Sequence, residues 1–196
     1  MKQNNILVAI TGGIGSGKSS ALKILKENGY ATFSCDEEVS ALYKKRGVLR
    51  TLKKEFPAAI KGKFSLSADR KEIAKVCFAD DRKRLFLESV LSAPALKNAV
   101  KKAKKIKGVA FIEVPILFEC KAEGLFDKVF VIKRDKGKRI EGVKLRAALS
   151  EEEIAARMNK QIDYDSFDFT GATIIENEGT ESDLKTAVLK AANEIK

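Results

Sequence analysis

The sequence predicts an α/β fold in which a parallel sheet is flanked by helices. Two observations lead to this prediction: short apolar runs alternate with helical segments, and the first run is continuously apolar, as is typical of strands buried on both faces. The chain has 196 residues, of which 44% are hydrophobic and 33% charged. That size and composition are typical of one globular domain with a substantial core.

Five apolar runs are predicted to form the strands, and the segments between them to form helices. The runs cover residues 6–10, 31–34, 109–114, 128–132 and 173–175. A helix is predicted over residues 18–28, and the pattern Thr180-x-x-Asp183 is typical of the start of a final helix. Strands that alternate with helices imply five parallel strands covered on both faces.

Residues 37–100 are predicted to be mostly helical, with breaks near Gly47, Pro57 and residues 65–67. This stretch is too long for a single crossover between two strands. We interpret it as a helical insert above the carboxyl edge of the sheet, where α/β proteins bind their ligands.

The charge balance indicates an acidic partner. The sequence has 38 lysines and arginines against 27 aspartates and glutamates, a formal net charge of +11. Such an excess is typical of proteins that bind phosphate esters, nucleic acid or acidic membrane surfaces. The lysine run over residues 101–107 has no aromatic residue for base stacking, so we interpret it as a solvated helix face.

The composition excludes several classes of mechanism. The chain has no histidine, which excludes an imidazole base, a histidine-ligated metal and a Ser-His-Asp triad. A general base is therefore expected to be a carboxylate. Cys35, Cys77 and Cys120 lack CxxC spacing, which favours small buried residues in a reducing cytoplasm over a disulfide framework or a zinc site. We expect no membrane span, because no apolar run reaches 18 residues, and no signal peptide, because the apolar run that precedes Thr11 has only five residues.

A glycine-rich motif follows the first predicted strand and opens the first predicted helix. Residues 12–19 read GGIGSGKS and match the nucleotide-binding pattern G-x-x-x-x-G-K-[ST]. Its glycines let backbone amides curl around phosphate oxygens, and the helix N-terminus adds a partial positive charge. Lys18 is expected to reach the β- and γ-phosphates, and the Ser19 hydroxyl to bind Mg²⁺. The position between strand and helix favours a nucleoside triphosphate site over an incidental glycine-rich connector.

The sequence favours a kinase among the proteins that carry this loop. It has no N/T-K-x-D motif of the kind that GTPases use to read the base, and its third strand does not end in Asp-Glu as in motor ATPases. The small size and the helical insert favour phosphoryl transfer to a small acceptor. One alternative is a nucleoside or nucleotide kinase. Another is a nucleotide-binding regulator of nucleic acid or of a protein, which would not need an acceptor-side acid such as Asp36.

Six motifs in order make the chain resemble the dephospho-CoA kinase family, from near its beginning to about Leu184. The motifs are T-G-G-I-G-S-G-K-S over residues 11–19, a second strand ending in Ser34-Cys35-Asp36, the pair Asp69-Arg70, V-P-I-L-F-E over residues 114–119 followed by Asp127, a lid pattern at Arg146, Ser150, Glu152, Glu153, Arg157 and Gln161, and Asn177-Glu178-Gly179.

Four positions depart from the family pattern. The segment from Leu91 to Pro94 has no histidine where the family has a His-Pro pair, and Ser34 replaces the first acid of D-x-D. Gly142 stands where relatives often carry an arginine, and Glu113 where an aspartate or an apolar residue is more usual. These departures bear on acceptor affinity and rate more than on the type of reaction.

The resemblance implies a P-loop NTPase fold with a helical acceptor-binding insert and a lid. It divides a single kinase domain into a core at residues 1–36, 108–135 and 170–196, an insert at about 37–107 and a lid at about 136–165. It implies transfer of the ATP γ-phosphoryl to the ribose 3′-hydroxyl of dephospho-CoA, with Mg²⁺ as cofactor. ATP and dephospho-CoA are then the partners of a cytoplasmic monomer that binds neither nucleic acid nor membrane.

The candidate site residues fall into three groups. Asp36, Lys18 and Arg146 are expected to act in catalysis, with Asp36 as the general base. Asp36, Arg70, Arg139 and Arg157 are expected to bind the substrates. The residues expected to bind ATP are Gly13, Gly15, Ser16, Gly17, Lys18, Ser19, Ser20 and Asn177, and Ser19 is also the expected metal ligand.

Simpler structural interpretations of these residues stay open. Asp36 is also suited to cap the next helix, and Arg70 to pair with Asp69 or Glu72 on a helix surface. The lid arginines are also suited to a solvated basic face on paired helices, helped by a capping box at Ser150-x-x-Glu153, and Asn177 to a plain turn.

Overall fold

The structure is a computed structural model that describes residues 5–63, 65–147 and 150–195. These residues form two compact units. One comprises the described residues up to Phe33 and from Lys102 onward, and the other comprises Ser34–Lys101. The predicted division into core, insert and lid stays a prediction.

The described strands and helices follow the predicted alternation. The strands are β1 (Ile6–Thr11), β2 (Ala31–Ser34), β3 (Ile60–Lys61), β4 (Ser67–Ala68), β5 (Val109–Glu113), β6 (Lys128–Lys133) and β7 (Thr173–Glu176). The helices are α1 (Lys18–Glu27), α2 (Cys35–Leu42), α3 (Arg46–Glu55), α4 (Arg70–Ala79), α5 (Asp81–Val90), α6 (Ser92–Ala103), α7 (Lys136–Ala147), α8 (Glu151–Met158) and α9 (Glu181–Asn193).

The first unit is built around a five-stranded sheet with the order β2-β5-β1-β6-β7. The strand β1 pairs in parallel with β5 on one side and with β6 on the other, and β6 pairs in parallel with β7. This confirms the predicted α/β fold and the five strands, within one residue at each end. The register places Ile10 opposite Glu113, so the last residue of β5 lies beside the strand that leads into the glycine-rich motif.

The core of the first unit explains why the strands read as continuous apolar runs. In β1, Leu7, Val8, Ala9 and Ile10 are all at most 3% exposed, so residues on both faces of this strand are buried. The helices α1 and α9 pack against one another and contribute to one core cluster together with aromatic residues of the sheet. The ring of Phe111 packs edge-to-face against the ring of Tyr30, with 5.3 Å between the ring centroids. Burial of this kind is the main stabilisation of a central strand.

The second unit is mostly helical, but it departs from the prediction in one place. The predicted break near Gly47 is present at residues 43–45, and Gly47 itself is the second residue of α3. The predicted breaks near Pro57 and residues 65–67 enclose a small antiparallel hairpin of β3 and β4, which was not predicted. Its two-residue strands are too short to show the alternating pattern that identifies a strand in sequence.

Three surface predictions have mixed outcomes. Cys35 and Cys77 are buried as expected, but Cys120 is exposed. The lysines of residues 101–107 are exposed, but α6 ends at Ala103, so part of the run lies in a turn and not on a helix face. Among the described residues, no helix is both long and apolar enough to cross a membrane.

Asp127 connects the start of β6 to the central strand β1. Its carboxylate accepts the Leu7 N–H at 2.7 Å, and its own N–H donates to the Leu7 carbonyl at 2.9 Å. We expect Asp127→Ala to lower the free energy of unfolding by about 1–2 kcal/mol, because it leaves the Leu7 N–H without its partner. Asp127→Asn keeps an acceptor oxygen and should lose less. Urea denaturation measures both, and equal losses for the two variants would contradict this role.

Candidate active site

The loop between β1 and α1 has the backbone that phosphate binding requires. Gly15 and Gly17 have φ angles of 80° and 104°, a region that favours glycine. The Ser16 N–H donates to the Gly13 carbonyl at 3.1 Å and closes the loop. The helix α1 then begins at Lys18 with neither a side-chain cap nor an acidic residue in its first turn. A helix N-terminus of this kind suits an anion.

Lys18 and Ser19 hold defined positions next to this loop. The Lys18 Nζ donates to the carbonyls of Gly12 and Gly13 at 2.8 and 3.0 Å. The Ser19 hydroxyl donates to Glu113 Oε1 at 2.8 Å. Glu113 is 4% exposed and ends β5, so the parallel register brings its carboxylate to the predicted metal ligand. The sequence interpretation gave Glu113 no role, although its place at the end of a buried strand was visible.

Ser16 of the loop has a buried hydroxyl and a carbonyl that is bound from outside the loop. The Ser16 hydroxyl is buried and has no hydrogen-bond partner among the described residues. The Asn177 Nδ2 donates to the Ser16 carbonyl at 2.8 Å, and a Cβ at Gly17 would overlap that amide. Asn177, in the predicted turn after β7, therefore holds the nucleotide loop through the Ser16 carbonyl. The sequence did not indicate this contact.

Arg139 of α7 packs onto the loop from the other side. It is 5% exposed, so it does not lie on a solvated basic face. Its guanidinium forms an ion pair with Asp165 at 3.2 Å, and a Cβ at Gly13 would overlap the guanidinium. The Arg139 Nε is buried without a hydrogen-bond partner in the described chain. The Arg139 guanidinium therefore lies against the nucleotide loop with one N–H donor that has no partner in the described chain.

Residues 161–165, which we name the return segment, follow α8 and lie along the same loop. Gln161 Oε1 accepts the Ile14 N–H at 2.7 Å, and the Ile162 N–H donates to Glu119 Oε1 at 3.1 Å. The Tyr164 hydroxyl lies 3.1 Å from the hydroxyl of Thr11. Burial raises the pKa of Tyr164 above its ordinary value, so this phenol stays protonated at neutral pH.

A cavity of about 790 Å³ lies in the predicted lid. Lys136, Arg139 and Ile140 of α7 line one side, and α8 and the return segment line the rest. Its wall carries cations, carboxylates and apolar side chains together.

Comparison with known proteins shows which family this chain is similar to. The family model for dephospho-CoA kinase matches residues 6–183. A dephospho-CoA kinase of Thermus thermophilus is 29% identical over 184 residues, with 93% of this chain and 88% of the relative covered. That of Wolinella succinogenes is 28% identical, with 100% and 98% covered. The crystal structure of TT1252 from Thermus thermophilus superimposes with a TM-score of 0.83 at 27% identity and covers 98% of this chain and 99% of that one.

The chain belongs to the dephospho-CoA kinase family. This family consists of ATP-dependent kinases, so the predicted enzyme class and the predicted kind of co-substrate are confirmed. The capping box predicted in the lid is also present: Ser150 accepts the Glu153 N–H, and Glu153 accepts the Ser150 N–H in return. The residue roles expected of a dephospho-CoA kinase stay predictions.

Two of the residues predicted to bind the substrates, Asp36 and Arg70, lie in the second unit. Asp36 is exposed in the first turn of α2, whose N-cap is Ser34, so the alternative interpretation of Asp36 as the cap is wrong. Arg70 lies 4.4 Å from the centre of the Tyr43 ring and donates to Ser40 Oγ at 3.3 Å. Asp69 instead caps α4 and pairs with Lys61, so the predicted Arg70–Asp69 surface pair is not what forms.

The two remaining lid arginines lie on separate helices. Arg157 is exposed on α8. Arg146 belongs to α7, but its side chain lies outside what the structure describes. Ser20 is the third residue of α1, directly after Ser19. The structure thus brings the loop residues, Asn177 and Arg139 together, whereas Glu113, Gln161 and Tyr164 join them unpredicted.

We expect Gly13→Ala to weaken ATP binding by about tenfold or more. The new methyl group displaces the buried guanidinium of Arg139 and separates it from Asp165, which also lowers the free energy of unfolding by about 1–3 kcal/mol. Steady-state KM for ATP and urea denaturation measure the two effects.

The matched control is Gly47→Ala. A Cβ at Gly47 meets nothing within 4 Å, and the residue lies inside α3. This variant should gain about 0.5–1 kcal/mol of stability, with the KM for ATP unchanged. An unchanged KM for ATP in Gly13→Ala would show that the packing of Arg139 on the loop has no bearing on the nucleotide.

Proposed function

We propose that this chain transfers the γ-phosphoryl of ATP to the ribose 3′-hydroxyl of dephospho-CoA and releases coenzyme A and ADP. The family match over residues 6–183 supports the acceptor. The observation that carries the phosphate chemistry is the loop itself, with an uncapped helix N-terminus behind it. Two buried donors beside it, Ser16 Oγ and Arg139 Nε, have no partner in the described chain and suit phosphate oxygens.

Ser19 and Glu113 suit a Mg²⁺ ion that accompanies ATP. A hydroxyl and a carboxylate oxygen meet at 2.8 Å next to the loop, and Mg²⁺ prefers oxygen ligands from one or two side chains completed by phosphates and water. The described residues contain no group of three or more acidic, cysteine or histidine side chains that would suit a metal bound by protein alone. Mg²⁺ bound there would neutralise charge on the β- and γ-phosphates.

The remaining roles concern charge and proton transfer. Lys18 and the arginines Arg139, Arg146 and Arg157 would bind phosphate oxygens, and Arg70 would contact the acceptor. Asp36 would take the proton of the 3′-hydroxyl. The hydroxyl oxygen would then bond to the γ-phosphorus of ATP, while the bond between that phosphorus and the ADP oxygen breaks. Histidine is absent from the chain, so a carboxylate is the natural base. Ser20 and Asn177 are proposed to complete the ATP site.

The enzyme is further proposed to act as a cytoplasmic monomer without a nucleic-acid or membrane partner. The clustering of phosphate-binding groups around one loop accounts for part of the net charge of +11 without such a partner. A size-exclusion elution volume for about 21.6 kDa would support the monomer.

The decisive experiment is coupled ADP release with ATP and Mg²⁺, comparing dephospho-CoA, adenosine, AMP and no acceptor. We expect turnover with dephospho-CoA and little with the others. Asp36→Asn should lower kcat by at least about 100-fold, because a positioned base contributes that much or more. Glu37→Gln is the matched control, since Glu37 is exposed in the same turn of α2, and it should retain wild-type kcat.

Three results would count against these assignments. Turnover of adenosine or AMP in place of dephospho-CoA would show that the proposed acceptor is wrong. ADP release that needs no acceptor would show that the chain hydrolyses ATP and does not transfer its phosphoryl group to an acceptor. Equal activity of Asp36→Asn and Glu37→Gln would remove Asp36 as the base.

The proposed metal site predicts how Glu113→Gln behaves. Glutamine keeps an oxygen for the Ser19 hydroxyl but removes the negative charge, so we expect the half-saturating Mg²⁺ concentration to rise about tenfold or more. A titration of activity against free Mg²⁺ measures this. The total ATP concentration is chosen so that the Mg²⁺–ATP complex saturates the enzyme at the highest Mg²⁺ concentration. An unshifted titration curve would show that Glu113 supports the fold and not the ion.

A further inference from the structure

Gln161 connects three elements of the first unit through one side chain. Its Oε1 accepts the Ile14 N–H at the nucleotide loop at 2.7 Å, and its Nε2 donates to the Pro115 carbonyl at 3.3 Å. Pro115 follows β5 two residues after Glu113. The amide of Gln161 thus joins the end of the lid to the loop and to the strand that carries the proposed metal-site carboxylate.

The backbone on either side of Gln161 is itself held in place. The Gln161 N–H donates to the Met158 carbonyl at 3.0 Å, and the Ile162 N–H donates to Glu119 at 3.1 Å. The side chain is therefore presented to the loop from a fixed turn. A side chain positioned in this way holds its target in one conformation better than one on a mobile segment.

The target of this contact is a loop residue with a glycine on either side. Ile14 lies between Gly13 and Gly15, and the chain has φ of 80° at Gly15. Glycines give this stretch many accessible backbone conformations in the absence of external contacts. Fixing the Ile14 N–H beforehand reduces the conformational freedom that a bound nucleotide would otherwise have to remove.

We propose that Gln161 is a positioning residue for ATP, which holds the Gly13–Gly15 side of the loop in its phosphate-binding conformation through the Ile14 N–H. This inference rests on the proposed function, because it assigns the contact to nucleotide binding in that same site.

The test is Gln161→Met, which keeps the length of the side chain and removes both hydrogen bonds. Loss of a neutral hydrogen bond that orders the site should raise the KM for ATP and the Kd for MgADP about fivefold to tenfold. The kcat and the KM for dephospho-CoA should change less than about twofold, the pattern for an interaction made equally in ground and transition states.

Two further variants separate positioning from folding. Ser166 lies just beyond the return segment, and its hydroxyl donates an exposed hydrogen bond to Asp163. Ser166→Ala removes this bond and should leave the KM for ATP and the Kd for MgADP unchanged. Gln161→Asn is one methylene shorter, so it should reproduce the weakened binding of Gln161→Met and serves if that variant does not fold. Thermal melting of each protein shows which variants are folded at the assay temperature.

The outcomes distinguish this inference from the proposed function. A lower melting temperature with unchanged Kd for MgADP would make Gln161 a structural residue and overturn the inference. Binding of MgADP is measured without any acceptor, so the comparison stands even if the wild-type enzyme does not phosphorylate dephospho-CoA. In that case the proposed acceptor fails, while weaker MgADP binding by Gln161→Met still supports the positioning role.

Discussion

The shape of a glycine-rich loop has to be maintained from outside, and this constraint organises the first unit. Glycine gives the loop its phosphate-binding backbone but contributes no side chain to stiffen it. Here the loop is contacted by Lys18 on its carbonyls, by Asn177 on the Ser16 carbonyl, by Gln161 on the Ile14 N–H and by Arg139 against Gly13. The contacts come from four places in the chain, so the loop is rigid only in the folded unit.

The buried cation beside the loop illustrates the balance of energies in such a site. Removing a guanidinium from water is costly unless a charge and hydrogen bonds compensate for it. Asp165, which is half exposed, compensates Arg139 only in part, because the Arg139 Nε remains without a partner in the described chain. A phosphate oxygen at this position would relieve that deficit. If Arg139 binds phosphate as proposed, part of the favourable energy of that binding comes from a deficit left when the protein folds.

The sequence was sufficient for features that are local in the chain. The five strands, the loop and both capping boxes follow from runs and spacings within about ten residues, and all are present. The contacts of Glu113 and Gln161 could not be predicted in this way, because they join residues 94 and 147 positions apart. Only the strand register, which places Glu113 opposite Ile10, brings the first pair together. The hairpin at residues 60–68 was missed for a different reason, since its strands are too short to carry a period.

A nucleotide at this loop would have to displace some hydrogen bonds that the protein already makes. The Lys18 ammonium already donates to two loop carbonyls, the Ser19 hydroxyl already donates to Glu113, and the Ile14 N–H already donates to Gln161. A phosphate that recruits Lys18 must compensate for the carbonyl contacts that it displaces, and a bound cation must do the same at Ser19. The Gln161 contact differs, because its proposed positioning role requires the Ile14 N–H to keep this partner when a nucleotide binds. Contacts that persist through binding preserve the geometry, whereas contacts that are exchanged limit the affinity.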